Sequence, residues 1–235
     1  MAHSKELEGI LEGWCAITNQ ATSVADAFFI GEILTLSELN LGLEFLMSSL
    51  AQISNTNAPE LAVEKGFYMG IVNVSAAQIA YLAELDTGEQ LIYEGISLLE
   101  NALSQFKSRI ESFTKEDLQA SINEGPSPLD FLLYAHAELF DAYLVVNKNE
   151  SSPIKWLRNV RKVNDLAQSL LKLSEGENDE FEQMAYLSLA ASSKRLGRGE
   201  EAQEYKDKFF SLEIPPEEIP SSIFPHYEDM MALFD

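Results

Sequence analysis

Between Glu180 and Leu212 the apolar positions step by three and four, first as Phe181, Met184, Ala185, Leu187, Leu189 and Leu196, then as Ala202, Tyr205, Phe209 and Leu212. That spacing lays a stripe along one side of an α-helix, and the break at Leu196, Gly197, Arg198 and Gly199 has the composition of a tight turn. The stretch predicts two amphipathic helices folded back on each other. Similar periodicity runs through the whole chain and sustained alternation is absent. The pattern predicts helices over 4–34 (with a candidate break from Gln20 to Ser23), 36–54, 58–86, 88–112, 115–123, 128–147, 153–174, 179–196 and 200–212. The expected class is all-α, an array of about eight or nine helices with no sheet.

Helix starts are marked in the sequence. Pro59, Pro128 and Pro153 stand where a first helical turn tolerates a missing N–H, next to or near the capping types Asn57, Ser127 and Ser152. Thr35 with Glu38, and Thr87 with Gln90, have capping-box spacing, in which a hydroxyl and an acid or amide satisfy each other's orphan backbone N–H groups.

Leu196, Gly197, Gly199, Glu200, Glu201 and Ala202, followed by the aromatic Tyr205 and by Pro215 at the exit, resemble a tetratricopeptide repeat over residues 180–215. Gly197 matches the turn glycine and Ala202 the small residue that lets the two helices approach. Tyr186 takes the aromatic position of the first helix, and Pro215 falls one residue past the usual exit proline. The resemblance implies a superhelix of antiparallel hairpins. An internal comparison fits it: a shift of 53 residues lays Gly13 and Trp14 on Gly66 and Phe67, Gly42 on Gly95, and Leu50 to Ile53 on Leu103 to Phe106. A last unit aligns through its turn, with Leu85, Gly88 and Glu89 on Leu196, Gly199 and Glu200. The expected organisation is a single helical repeat domain over 1–214 and a tail over 215–235 punctuated by Pro215, Pro216, Pro220 and Pro225.

Charge narrows the function classes. The 235 residues carry 38 acidic and 16 basic side chains, a net charge of −22. Nucleic acid and anionic membrane are thereby disfavoured as partners, because both require cations to replace counterions at phosphate. No apolar run reaches a membrane-spanning length, so the expected place is the cytoplasm. The charge is uneven: residues 1–147 hold 5 basic and 21 acidic groups, residues 148–208 hold 11 of each, and residues 209–235 hold 6 acidic and none basic.

Catalytic constellations are missing. Cys15, beside Trp14, reads as a buried inert thiol. His136 and Glu138 are two residues apart and fall on different helix faces, so they do not make a metal-binding pair, and His136 reads as a core or boundary histidine. The acids from Glu175 to Glu180 lack calcium-loop spacing and read as a solvated loop supplying charge to a helix start. The expectation is no enzyme activity, no cofactor and no metal.

The clearest binding signal lies between Ile154 and Leu173. Trp156, Val160, Val163, Ala167, Leu170 and Leu171 share one helix face, and Lys155, Arg158, Arg161 and Lys162 occupy another. These cations have two readings. They pair with acidic neighbours across a helix interface at about 0–1 kcal/mol each, which is the simpler one, or they form a docking site. The terminal segment offers a counterpart, with Met230, Met231, Leu233 and Phe234 apolar among Glu228, Asp229 and Asp235. Leu233 and Phe234 are candidates to enter an apolar groove, with the acids toward the basic helix, in the same molecule or in a partner. The expected work is therefore protein binding, as an adaptor, a chaperone-like protein or an assembly factor presenting a groove to a peptide or helix. The alternative is a helical bundle that holds a small ligand, or a degenerate enzyme of such a fold.

Overall fold

The computed structural model describes residues 2–30, 35–110, 128–174, 176 and 179–212. Among these are eight α-helices and no strand: α1 (Ala2–Ile30), α2 (Leu36–Asn55), α3 (Ala62–Leu82), α4 (Thr87–Arg109), α5 (Pro128–Asn149), α6 (Pro153–Ser174), α7 (Asp179–Arg195) and α8 (Gly199–Ser211). The all-α class read from the periodicity stands. α1 runs unbroken through Gln20 to Ser23, and a 3-10 turn, Pro59–Leu61, leads into α3. The helix expected at 115–123 and the tail at 215–235, with Leu233 and Phe234, lie outside the described residues. Where the sequence reading takes 1–214 as one domain, contacts group the chain into two compact units, Met1–Glu111 and Ser112–Asp235.

In the first unit α3 is the core helix. From Gly70 to Ala77 every residue is buried, with Ile79 and Ala80 beyond them, and α1, α2 and α4 each pack on it. A helix that is apolar on all sides has no solvent face to offer, so its neighbours must surround it. α3 and α4 run antiparallel, since Gly70 faces Gly95 and Tyr81 faces Gly88. At the other end of α3 the Lys65 Nζ donates to the carbonyl oxygens of Ser54 (2.6 Å) and Thr56 (2.8 Å). One of the few cations of this acidic unit thus satisfies carbonyls left open at the end of α2.

In the second unit the equivalent helix is α7, buried at every position from Phe181 to Ser193. The apolar stripe read from the sequence is only half of what is covered. Ser188, Ser192 and Ser193 are buried as well. Ser188 donates to the Met184 carbonyl at 2.6 Å, Ser192 to the Leu189 carbonyl at 3.3 Å and Ser193 to the Glu201 carboxylate at 3.1 Å. Small hydroxyls that bond back to their own helix can be buried at little cost. From α6, Asn164 Nδ2 donates to Ser192 Oγ at 2.9 Å. α8 returns antiparallel to α7, with the Tyr186 and Tyr205 rings 6.4 Å apart and Lys208 Nζ 5.8 Å from each ring centroid.

The start signals hold unequally. Thr35 caps α2 with a complete capping box, accepting from the Glu38 N–H while the Glu38 carboxylate accepts from the Thr35 N–H at 2.8 Å. The hydrogen bonds that the Glu38 carboxylate accepts from the Thr35 N–H and from the Thr35 hydroxyl (2.7 Å) hold the Glu38 carboxyl below its ordinary pKa. At the second predicted box the N-cap is Asp86, in helical conformation and without a side-chain cap bond, and Thr87 is already inside α4. The preceding turn explains the shift. Leu85 N–H bonds to the Ala80 carbonyl at 2.9 Å and Glu84 N–H to the Tyr81 carbonyl at 3.1 Å, a Schellman closure that runs straight into α4. The 3-10 turn at Pro59 likewise starts after Ala58 with no side-chain cap from Asn57.

α7 closes with the same motif, Arg198 N–H to the Ser193 carbonyl at 2.9 Å and Gly197 N–H to the Lys194 carbonyl at 3.1 Å. The left-handed residue is Gly197 (φ 77°) in one turn and Glu84 (φ 56°) in the other. The two turns therefore superpose Glu84 on Gly197, two residues away from the register that lays Gly88 on Gly199. Gly199 has ordinary φ and open space at its Cβ position, so this turn does not require glycine there. A side chain in the left-handed region costs about 1–2 kcal/mol, and glycine gives back about 0.4–1 kcal/mol through the unfolded chain. Glu84→Gly is expected to raise stability by about 0.5–1 kcal/mol, read as an upward shift of the urea midpoint with an unchanged slope.

Candidate functional site: a basic and apolar groove on α6

α6 begins at Pro153, where Trp156 N–H bonds to the Ser152 carbonyl at 2.9 Å and the proline's missing donor is no loss. Its inner face is as the periodicity predicts: Val160, Val163, Ala167 and Leu170 are buried, while Trp156 and Leu171 are partly covered. Asn159 and Asn164 also face inward, which hydropathy alone does not reveal.

The outer face carries the cations. An open groove of about 610 Å³ runs along it, lined among the described residues by Pro153, Ile154, Leu157, Arg158, Arg161, Lys162 and Asp165. Three of the four predicted cations line this groove, and Lys155 stands exposed beside it. Among the described residues, the ion pairs join Arg109 to Glu64, Arg198 to Glu201 and Lys208 to Glu204, and none involves Lys155, Arg158 or Arg161.

The feature that hydropathy counting missed is the apolar component of this same face. Ile154 is 75% exposed and Leu157 37% exposed, and both lie in the groove with the arginines. Single exposed apolar residues are common. Two of them, one helical turn apart and flanked by guanidinium groups, make a surface that offers both desolvation and charge. The available signal was positional: Ile154, Leu157, Arg158 and Arg161 share a face at spacings of three and four.

The other candidate chemistries resolve as follows. His136 is 1% exposed, and its Nδ1 lies 2.6 Å from the Leu132 carbonyl of its own helix, to which it donates. It is a core histidine with its backbone partner in place. Cys15 is exposed rather than buried. It lies to one side of the α1 face formed by Trp14, Thr18, Ala21 and Ala25, which are buried. Its neighbour Tyr68 has its phenol pushed up to about 12, chiefly by burial, with Cys15 and Glu64 adding to it. Among the described residues no group of three or more His, Cys, Asp or Glu side chains is placed to hold a metal ion, and no helix is long and apolar enough to cross a membrane.

Fold and site together define an all-α protein with a basic, apolar helix face. No family model matches the chain, and no curated protein or solved structure matches it either.

Proposed function

We propose that this chain is a protein-interaction module, an adaptor, chaperone-like protein or assembly factor, whose α6 groove receives an acidic amphipathic peptide or helix. The observation that carries this reading is the co-location of exposed Ile154 and Leu157 with Arg158 and Arg161 on one helix face. An apolar anchor in the groove would supply affinity, and acids around it would meet the guanidinium groups, which suit carboxylates because of their planar donor pairs. The strongly acidic remainder of the chain would repel acidic segments that lack an apolar anchor, so charge and shape select together. The hairpin of α7 and α8 supports reading this part as similar to a tetratricopeptide repeat. No catalytic role, cofactor, nucleic-acid partner or membrane partner belongs to this reading, and the cytoplasm is the compartment proposed.

The test is fluorescence anisotropy with a labelled synthetic helix that carries Leu and Phe three and four residues apart, interleaved with Glu. The probe should bind, weaken as salt is raised, and lose about tenfold or more in affinity against Arg158→Glu/Arg161→Glu, equivalent to about 1.4 kcal/mol. Binding that survives both reversals unchanged would remove the groove from the function.

A further inference from the structure

The charge and hydropathy of the α6 groove have a counterpart within the chain. Residues 226–235 combine Met230, Met231, Leu233 and Phe234 with Glu228, Asp229 and Asp235, and hold no Lys or Arg. The groove presents Ile154 and Leu157 with Arg158, Arg161 and Lys162. In a chain of net charge −22, an acidic segment finds few surfaces that do not repel it, and α6 carries four cations between Lys155 and Lys162. The two apolar sets are short enough to match, two exposed side chains against one or two anchors.

Reach is not limiting. The second unit holds both partners, and in it α8 packs on α7 and α7 on α6. Helix axes in contact lie about 8–10 Å apart, so two such steps put α6 about 20 Å from α8. Residues 213–225 separate the end of α8 from the acidic segment, and thirteen residues span up to about 43 Å when extended.

We propose that residues 226–235 are the intramolecular ligand of the α6 groove, with Leu233 and Phe234 against Ile154 and Leu157 and the acids toward Arg158 and Arg161. This rests on the groove being a peptide-binding surface, and it adds regulation: an outside partner must displace the chain's own segment. A segment that fills the groove about 90% of the time lowers the apparent affinity of an outside peptide about tenfold. The tether makes the competition independent of protein concentration.

The experiment measures the anisotropy probe above against full-length wild-type protein and full-length Leu233→Asp/Phe234→Asp. A second variant, Glu228→Lys/Asp229→Lys, changes charge without touching the anchors. Circular dichroism checks that each remains folded. The expected result is about tenfold tighter probe binding to both variants than to wild type, a gain that disappears when Arg158→Glu/Arg161→Glu is added. Equal binding to wild type and both variants, still lost on reversing the arginines, would overturn the tail proposal and leave the groove's function standing. Failure of the probe to bind any of these proteins would overturn both. A concentration-dependent dimer of the wild type that Leu233→Asp/Phe234→Asp abolishes would place the segment on a second copy and overturn the intramolecular form.

Discussion

Replacing Gly70 by alanine should destabilise the first unit by about 1–3 kcal/mol, although the same substitution in an open helix adds stability. A Cβ at Gly70 would lie 2.7 Å from Leu99 Cγ and 3.2 Å from the Gly95 carbonyl oxygen. Leu99 is fully buried, so it has no free space to move into, and the backbone of α4 can retreat only by separating the two helices. Overpacking of this kind costs about 1–3 kcal/mol, which exceeds the gain of about 1 kcal/mol from the better helix propensity of alanine. Gly95 is the reciprocal site, its Cβ position lying 3.0 Å from the Gly70 carbonyl oxygen and 3.0 Å from Val74 Cγ2. Gly66 provides the control on the same helix. A Cβ there meets nothing closer than 3.9 Å, so Gly66→Ala should stabilise by roughly 0.5–1 kcal/mol. Urea unfolding of Gly70→Ala and Gly66→Ala should therefore give shifts of opposite sign. Shifts of the same sign would mean that propensity, not the α3–α4 approach, governs these positions.

Ala202→Phe should cost the second unit about 1–3 kcal/mol by the same mechanism. Ala202 is fully buried on α8, in the helix that packs against the wholly buried α7. Its backbone N–H bonds to the Arg198 carbonyl at 2.9 Å in the first turn after the Schellman closure. The helix start cannot slide outward without opening that turn, so a phenyl ring has to displace α7 itself. Ala202→Ser adds one atom and serves as the comparison, with a smaller loss. An unchanged midpoint for Ala202→Phe in thermal and urea unfolding would mean that this contact is loose.

Much of the fold was readable along the chain because helix formation is local. Apolar residues three and four apart, a proline at a first turn and a glycine able to turn left-handed act within a few residues of themselves. For that reason α2, α5, α6, α7 and α8 end within two residues of where the pattern places them, and Gly197 closes α7 as its position implies. The split of α6 into an apolar face and a cationic face was equally local, since a helix turns the two sets apart whatever surrounds it.

The tertiary structure decided which faces are covered, and by what. Periodicity could not show that α7 is buried on its serine side too, because that depends on hydroxyls closing onto their own helix and on the fit of α6 and α8. Nor could it place Cys15 outside, since the rotation of α1 is chosen by Trp14 and Ala21 entering the core. Thr87 lost its capping role because the Schellman turn before it had already committed Asp86 to helical geometry. The same distinction governs the groove. The sequence by itself determined that Lys155, Arg158, Arg161 and Lys162 share a helix surface, but whether an acid stands opposite them is a property of distant segments. Only the folded chain decided that Arg158 and Arg161 face outward beside Ile154 and Leu157, because among the described residues exposure is set by which faces of α6 its neighbours α5 and α7 cover.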